Sequence, residues 1–105
     1  MAVEINDIVW QWKRHLRLAI LIAVAAAPTN SLNESILNDH LNGPKLRFKA
    51  KREQVQIEMR WLAQENLAEL EGSDDNYLVI TLRQAGLDIV EGRSRHHGVK
   101  SPSLA

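Results

Sequence analysis

The sequence predicts a single, mainly α-helical domain carrying one β-hairpin, and three observations lead there. Apolar residues recur at helical spacing in separate stretches of the first 65 residues. From Leu67 onward the period drops from 3.6 to 2, as half-buried strands require. The length, 105 residues, accommodates one domain and no more. With 45% hydrophobic and 25% charged residues the composition is that of an ordinary globule. Thirteen Lys+Arg stand against thirteen Asp+Glu, a formal net charge of +0. There is no cysteine, which excludes a disulfide framework, a thiolate nucleophile and a Cys-containing zinc site.

Ile5, Ile8, Val9, Trp12, Leu16, Ala19, Ile20 and Ala23 share one helical face, so the first helix is predicted from about Glu4 to Ala26, long for a domain of this size. Its second half is apolar on nearly every side and should be enclosed. Val3, Trp10 and Leu21 lie off the stripe, which leaves two alternatives: cover by the other helices, or a self-association surface that makes a homodimer through this helix. Pro28 ends the helix. A second helix is predicted over Leu32 to Leu41, with Ser31 as N-cap, Glu34 completing a capping box, and Leu32, Ile36, Leu37 and Leu41 inward. Asn42-Gly43-Pro44 stops it. Lys45 to Ala50 alternates charged with apolar residues, as a short strand or an extended turn would. Val55, Met59 and Leu62 then define a third helix from about Lys51 to Glu65, closed by a left-handed Asn66. Leu67 to Glu71 and Tyr77 to Leu82 read as strands joined by Gly72 to Asn76. Leu82, Ala85, Leu87, Ile89 and Val90 support a short last helix with Gly92 at its end. This gives a domain over 1–92, followed by a flexible basic tail over 93–105 with too few apolar residues to pack.

The strongest apolar run, Leu18 to Ala27, is ten residues long, half of what a bilayer span requires. Lys13, Arg14 and Arg17, the run itself and Ala25-Ala26-Ala27 imitate a signal peptide, but Glu4 and Asp7 precede the basic residues and the helical period continues back to Ile5. No membrane association is expected, and the expected location is the cytoplasm.

Three helices, a hairpin and a closing helix follow one another in the order of a winged helix-turn-helix. The segment from Val55 to Leu67 resembles the recognition helix and first strand of winged-helix regulators of the ArsR/MarR-like kind, and Thr81-Leu82-Arg83-Gln84-Ala85-Gly86 is similar to the step that follows the wing in that superfamily. Asn33-Glu34-Ser35-Ile36-Leu37, Trp61-Leu62-Ala63, Gly86-Leu87-Asp88, Gly92-Arg93 and the tail Gly98-Val99-Lys100-Ser101-Pro102-Ser103 resemble small winged-helix proteins of Mu-like phages and prophages. The resemblance covers nearly the whole chain and implies a DNA-binding regulator. One departure is the start of the third helix, where Ala50-Lys51-Arg52 stands in place of the usual Ser or Thr cap.

The neutral total conceals a sharp polarity. Residues 45 to 60 carry Lys45, Arg47, Lys49, Lys51, Arg52 and Arg60 against Glu53 and Glu58, six basic against two acidic, a local net of +4. In a helix-turn-helix the N-terminal residues of the second helix of the motif enter the major groove. Lys51, Arg52, Gln54 and Gln56 are therefore expected to reach bases or flanking phosphates, with Lys45, Arg47 and Lys49 on the backbone, and Arg and Gln have the donor geometry for guanine and adenine. The hairpin region from Glu65 to Asp75 holds five acidic residues and no basic one, a local net of −5. Such a wing should avoid phosphates, leaving the helix and the tail residues Arg93, Arg95 and Lys100 to contact DNA.

No catalytic or cofactor motif stands out. His15, His40, His96 and His97 lack metal-site spacing, and there is no Gly-rich phosphate loop or GxSxG. No enzyme activity and no cofactor are expected. Two functions remain: a phage-derived regulator that binds double-stranded DNA through Lys51 to Glu65, and a non-enzymatic interaction module that holds phage proteins during morphogenesis or DNA packaging on the same scaffold.

Overall fold

The computed structural model describes residues 5–72 and 78–102. Helix α1 spans Ile5–Ala26, a 3-10 turn follows at Pro28–Asn30, and strand β1 takes Ser31–Asn33. Helices α2 (Glu34–Leu41) and α3 (Arg52–Gln64) come next, then strands β2 (Ala68–Glu71) and β3 (Val79–Leu82), and helix α4 (Gln84–Val90). The strands form an antiparallel sheet in the order β1-β3-β2. The fold is thus mainly helical with a small three-stranded sheet.

Helix α1 lies where its periodicity places it, but its buried face is shifted along the axis. Leu16, Ile20, Leu21, Ala23 and Val24 are in the core, each large side chain among them contributing about 1.5–3 kcal/mol by burial. The expected inward residues Ile8 and Val9 are instead 60% and 43% exposed, and Leu21, expected off the stripe, is fully buried. The N-terminal turns of α1 run beyond the elements that cover its second half, so helical periodicity alone overstates their burial. Residues 73–77, expected to turn and to begin the second strand, and the expected positions of Val3 and Glu4 lie outside the described residues.

The second helix starts later than its capping pattern suggests. Ser31, Leu32 and Asn33 pair with Thr81, Ile80 and Val79, and the Ser31 and Thr81 hydroxyls are 3.0 Å apart. Asn33 takes the cap: its Oδ1 accepts from the Ile36 N–H at 2.9 Å. Ser and Asn are comparable caps, so pairing with β3 decides between them. The hairpin consequently gains a third strand, and the Ser31–Glu34 capping box does not form. Ile36, expected inward, is 54% exposed, while Leu37 and Leu41 are fully buried.

Residues 42–51 between α2 and α3 form no strand; of the two expected alternatives the turn is present, closed by the Arg47 N–H on the Gly43 carbonyl at 3.0 Å. The end of α3 follows expectation: Asn66 is left-handed (φ 61°) and the Leu67 N–H returns to the Leu62 carbonyl at 3.0 Å. Helix α4 sits directly on the start of β2. A Cβ on Gly86 would lie 2.3 Å from the Leu67 carbonyl oxygen, so only glycine permits that approach.

The segment after α4 packs, contrary to the expectation of too few apolar residues to do so. Val99 is in the core, the Lys100 N–H donates to the Arg14 carbonyl at 3.2 Å, and Arg14 Nε donates to the His97 carbonyl at 2.9 Å. One valine suffices because the segment's carbonyls also face the arginines of α1 and the His96 ring meets Trp61 and bonds Glu65 at 2.8 Å. Arg93, expected among the tail's cations, is paired with Asp88 and Glu91. No helix among the described residues is long and apolar enough to cross a membrane.

Candidate nucleic-acid interface

The segment between α2 and α3 is an ordered loop held closed by one side chain. Asn42 bonds both backbone groups of Ala50, its Oδ1 accepting from the Ala50 N–H at 2.7 Å and its Nδ2 donating to the Ala50 carbonyl at 3.0 Å. Inside this clamp the Phe48 N–H donates to the Leu41 carbonyl at 3.0 Å, and the Phe48 ring meets Trp12 edge-on. Arg47 and Lys49 on either side are left-handed, with φ of 51° and 53°. That conformation costs a non-glycine residue about 1 kcal/mol or more and persists where surrounding contacts over-determine it. The alternation of residues 45–50 is only partly a burial pattern: Phe48 is drawn toward α1 and Ala50 is buried, whereas Leu46 is 39% exposed beside the exposed Lys45, Arg47 and Lys49.

The loop delivers its charge to the start of α3. Lys51 is the exposed N-cap and makes no side-chain cap bond, in keeping with the missing Ser or Thr. Lys45, Arg47, Lys49, Lys51 and Arg52 follow one another with no carboxylate between Asp39 and Glu53. The positive end of the helix dipole adds to the same region.

The remaining expected site residues turn elsewhere. Arg52 donates to Glu34 Oε1 at 2.8 Å and Gln56 to Glu34 Oε2 at 2.8 Å. Glu34 is buried at the first turn of α2, and the Arg52 bond, with the Gln56 bond behind it, holds its carboxyl below the usual carboxylate range against the opposing effect of burial. Gln54 donates to Glu58 Oε2. Glu58 is fully buried and accepts from Arg17 Nε at 2.8 Å. Arg17, also buried, donates to the Gly98 carbonyl at 3.0 Å and lies 3.8 Å from the centre of the Trp61 ring. Arg60 is half-buried. Gln56 therefore ties α3 to α2, Gln54 steadies Glu58 within α3 for its bond to Arg17 of α1, and the exposed cations not drawn to Glu34 are those of the loop and the cap.

Sequence reasoning passed over Asn42, Arg17, Glu34 and Glu58. A signal existed for two of them. Glu58 stands three residues after Val55 on the apolar face of α3, and Arg17 lies beside Leu16, Ile20 and Leu21 on that of α1. Charges of opposite sign at two core positions announce a buried pair.

A cleft of about 590 Å3 lies beside the loop, lined by Glu34, Ser35, Asn38, Asp39, Asn42, Ala50 and Arg52. Among the described residues, no group of three or more His, Asp or Glu is placed to hold a metal ion. The acidic hairpin keeps Glu69 and Glu71 exposed on β2, with Glu69 3.3 Å from Arg83; Asp74 and Asp75 lie outside the described residues.

The chain is 37% identical to the uncharacterized protein gp26 of Escherichia phage Mu over 98 residues, covering 93% of this chain and 95% of that protein. The chain belongs to the family of phage Mu gp26. No protein-family model matches it, and no solved structure does.

Proposed function

We propose that this protein is a phage or prophage DNA-binding protein on a winged helix-turn-helix scaffold, acting as a transcriptional regulator. The clamped loop 43–51 grips the phosphate backbone of duplex DNA and α3 enters the major groove. The observation that carries this reading is the run of exposed cations, Lys45, Arg47, Lys49 and Lys51, held on a rigid loop that ends at the N-terminus of α3. A pre-ordered cationic loop binds phosphates without first losing conformational entropy. The order of helices and strands and the kinship with a phage protein support the scaffold and the setting.

Reversal of these four charges to Glu, measured by fluorescence anisotropy on labelled prophage duplexes, should weaken binding more than tenfold. It should also reduce the salt slope by about 0.9 for each phosphate that the loop no longer neutralises. Unchanged affinity and slope would refute the reading.

A second reading, a self-associating or assembly module, is favoured by the exposed Ile8, Val9, Trp10 and Ile22 of α1. Large apolar side chains on one element mark a contact surface more often than scattered ones do. In this reading a homodimer forms through α1, or the helix holds another phage protein. Light scattering should give a dimer mass that Ile8→Glu with Trp10→Glu reduces to the monomer; a wild-type monomer at high concentration counts against self-association.

A further inference from the structure

With Gln54 and Gln56 withdrawn to buried carboxylates, the outward face of α3 belongs to other residues. At about 100° per residue, Glu53, Ile57, Arg60 and Gln64 fall within about 60° of one another, opposite Val55, Glu58, Met59 and Leu62. Burial agrees: Glu53, Ile57 and Gln64 are exposed and Arg60 is half-buried, whereas Val55, Glu58, Met59 and Leu62 are fully buried. Ile57 stands out in this row because it is a large apolar side chain, 52% exposed, at the edge of an otherwise polar face, one turn before the half-buried Trp61.

We infer that Ile57 and Glu53, one turn apart on the outward face of α3, read pyrimidines in the major groove: Ile57 packs on a thymine methyl and Glu53 accepts from a cytosine amino group. The inference rests on the DNA-binding reading above and names the bases that reading would recognise. Each major-groove edge offers a distinct pattern, and the thymine C5-methyl is its apolar mark. Apolar contact with that methyl suits an isoleucine, whose exposed surface would otherwise remain in water. The carboxylate of Glu53 repels phosphate and finds its complement in a donor, of which the cytosine N4 amino group is the one on a pyrimidine of a G·C pair. The loop cations hold the backbone on either side, so positioning and specificity are carried by separate residues.

Uracil replacement tests this directly, because it deletes the methyl group and leaves every hydrogen-bonding group of thymine in place. Wild-type protein is used to select duplexes from a random library, and each thymine of the selected site is replaced in turn by uracil. At one position the replacement should weaken wild-type binding about fourfold, the value of one buried methyl group. Ile57→Ala should bind thymine and uracil duplexes equally, with an unchanged salt slope. Glu53→Gln should relax the preference for cytosine at a neighbouring position. Ile57 is exposed, so its replacement leaves the fold intact. Wild-type discrimination that survives in Ile57→Ala, or a selected site in which no thymine matters, overturns the inference and leaves backbone binding standing. Failure of the wild type to bind any duplex overturns both.

Discussion

Replacing Arg17 by Met tests the polar centre that fixes α3 against α1. The substitution keeps an unbranched apolar stem and removes the charge. Glu58 then retains Gln54 as a partner, but its Oε1 loses the 2.8 Å bond from Arg17 Nε. The Gly98 carbonyl loses a donor at 3.0 Å, and the Trp61 face loses the cation stacked 3.8 Å from its centre. Breaking a buried pair from one side strands an uncompensated charge and costs about 3–5 kcal/mol. Domains of this size hold about 5–15 kcal/mol in total, so the variant should be marginal. With each kcal/mol worth about 4–8 °C, the midpoint should fall by roughly 12–40 °C. Urea and thermal unfolding followed by far-UV circular dichroism give both numbers. The double variant Arg17→Met with Glu58→Leu removes both charges and should recover stability to within about 1–2 kcal/mol of the wild type. A single variant that loses less than about 1 kcal/mol, or a double variant no better than the single, would refute the coupling of these residues.

Four further outcomes follow from the packing. The Arg52 and Gln56 bonds hold Glu34 below its ordinary value of 4.5, so its contribution to stability is complete above that value and lost as pH falls through the lower folded-state value. Urea midpoints should therefore drop as pH is lowered below about 4.5, and in Glu34→Gln this part of the decline should vanish. Gly98→Ala would bring a Cβ within 2.5 Å of the Trp61 ring, and its strain of about 1–3 kcal/mol should appear as a lower urea midpoint with altered tryptophan fluorescence. Gly86→Ala meets the Leu67 backbone at 2.3 Å, and thermal unfolding should show a loss at the upper end of that range or beyond, about 3 kcal/mol. Asn42→Ala breaks both clamp bonds, which should cost about 1–3 kcal/mol in denaturation and speed amide exchange in residues 43–50.

Much of this fold is legible because its strongest signals are local. The apolar period places the end of α1 at Ala26, Val55, Met59 and Leu62 locate α3, and Asn66 marks its left-handed close. The start of α2 is ambiguous in the sequence because Ser31 and Asn33 are both competent caps. A residue distant in sequence, Thr81, decides between them by sheet pairing. Ile8 and Val9 depart from expectation because periodicity reports which residues share a face and not how far the neighbouring elements extend. The tail packs because its anchoring depends on Arg14 and Arg17 meeting carbonyl groups some eighty residues away, which no local pattern encodes. For the candidate site, the basic segment is evident in the charge distribution. The inward turn of Gln54 and Gln56 is not, since it depends on carboxylates at 34 and 58 whose burial is a tertiary property. Glu58 is recognisable from its core position three residues after Val55; Asn42, an ordinary helix-stop residue in the sequence, is not.

The most direct test is the salt dependence of binding to duplex DNA, compared between the wild type and a variant in which Lys45, Arg47, Lys49 and Lys51 are all replaced by Gln. The wild type should bind, with the logarithm of its affinity falling linearly as the logarithm of salt concentration rises, by about 0.9 per phosphate neutralised. The variant should lose most of that slope with its unfolding midpoint unchanged. Equal slopes for the two proteins, or no wild-type binding at low salt, would contradict a phosphate-gripping role for the loop.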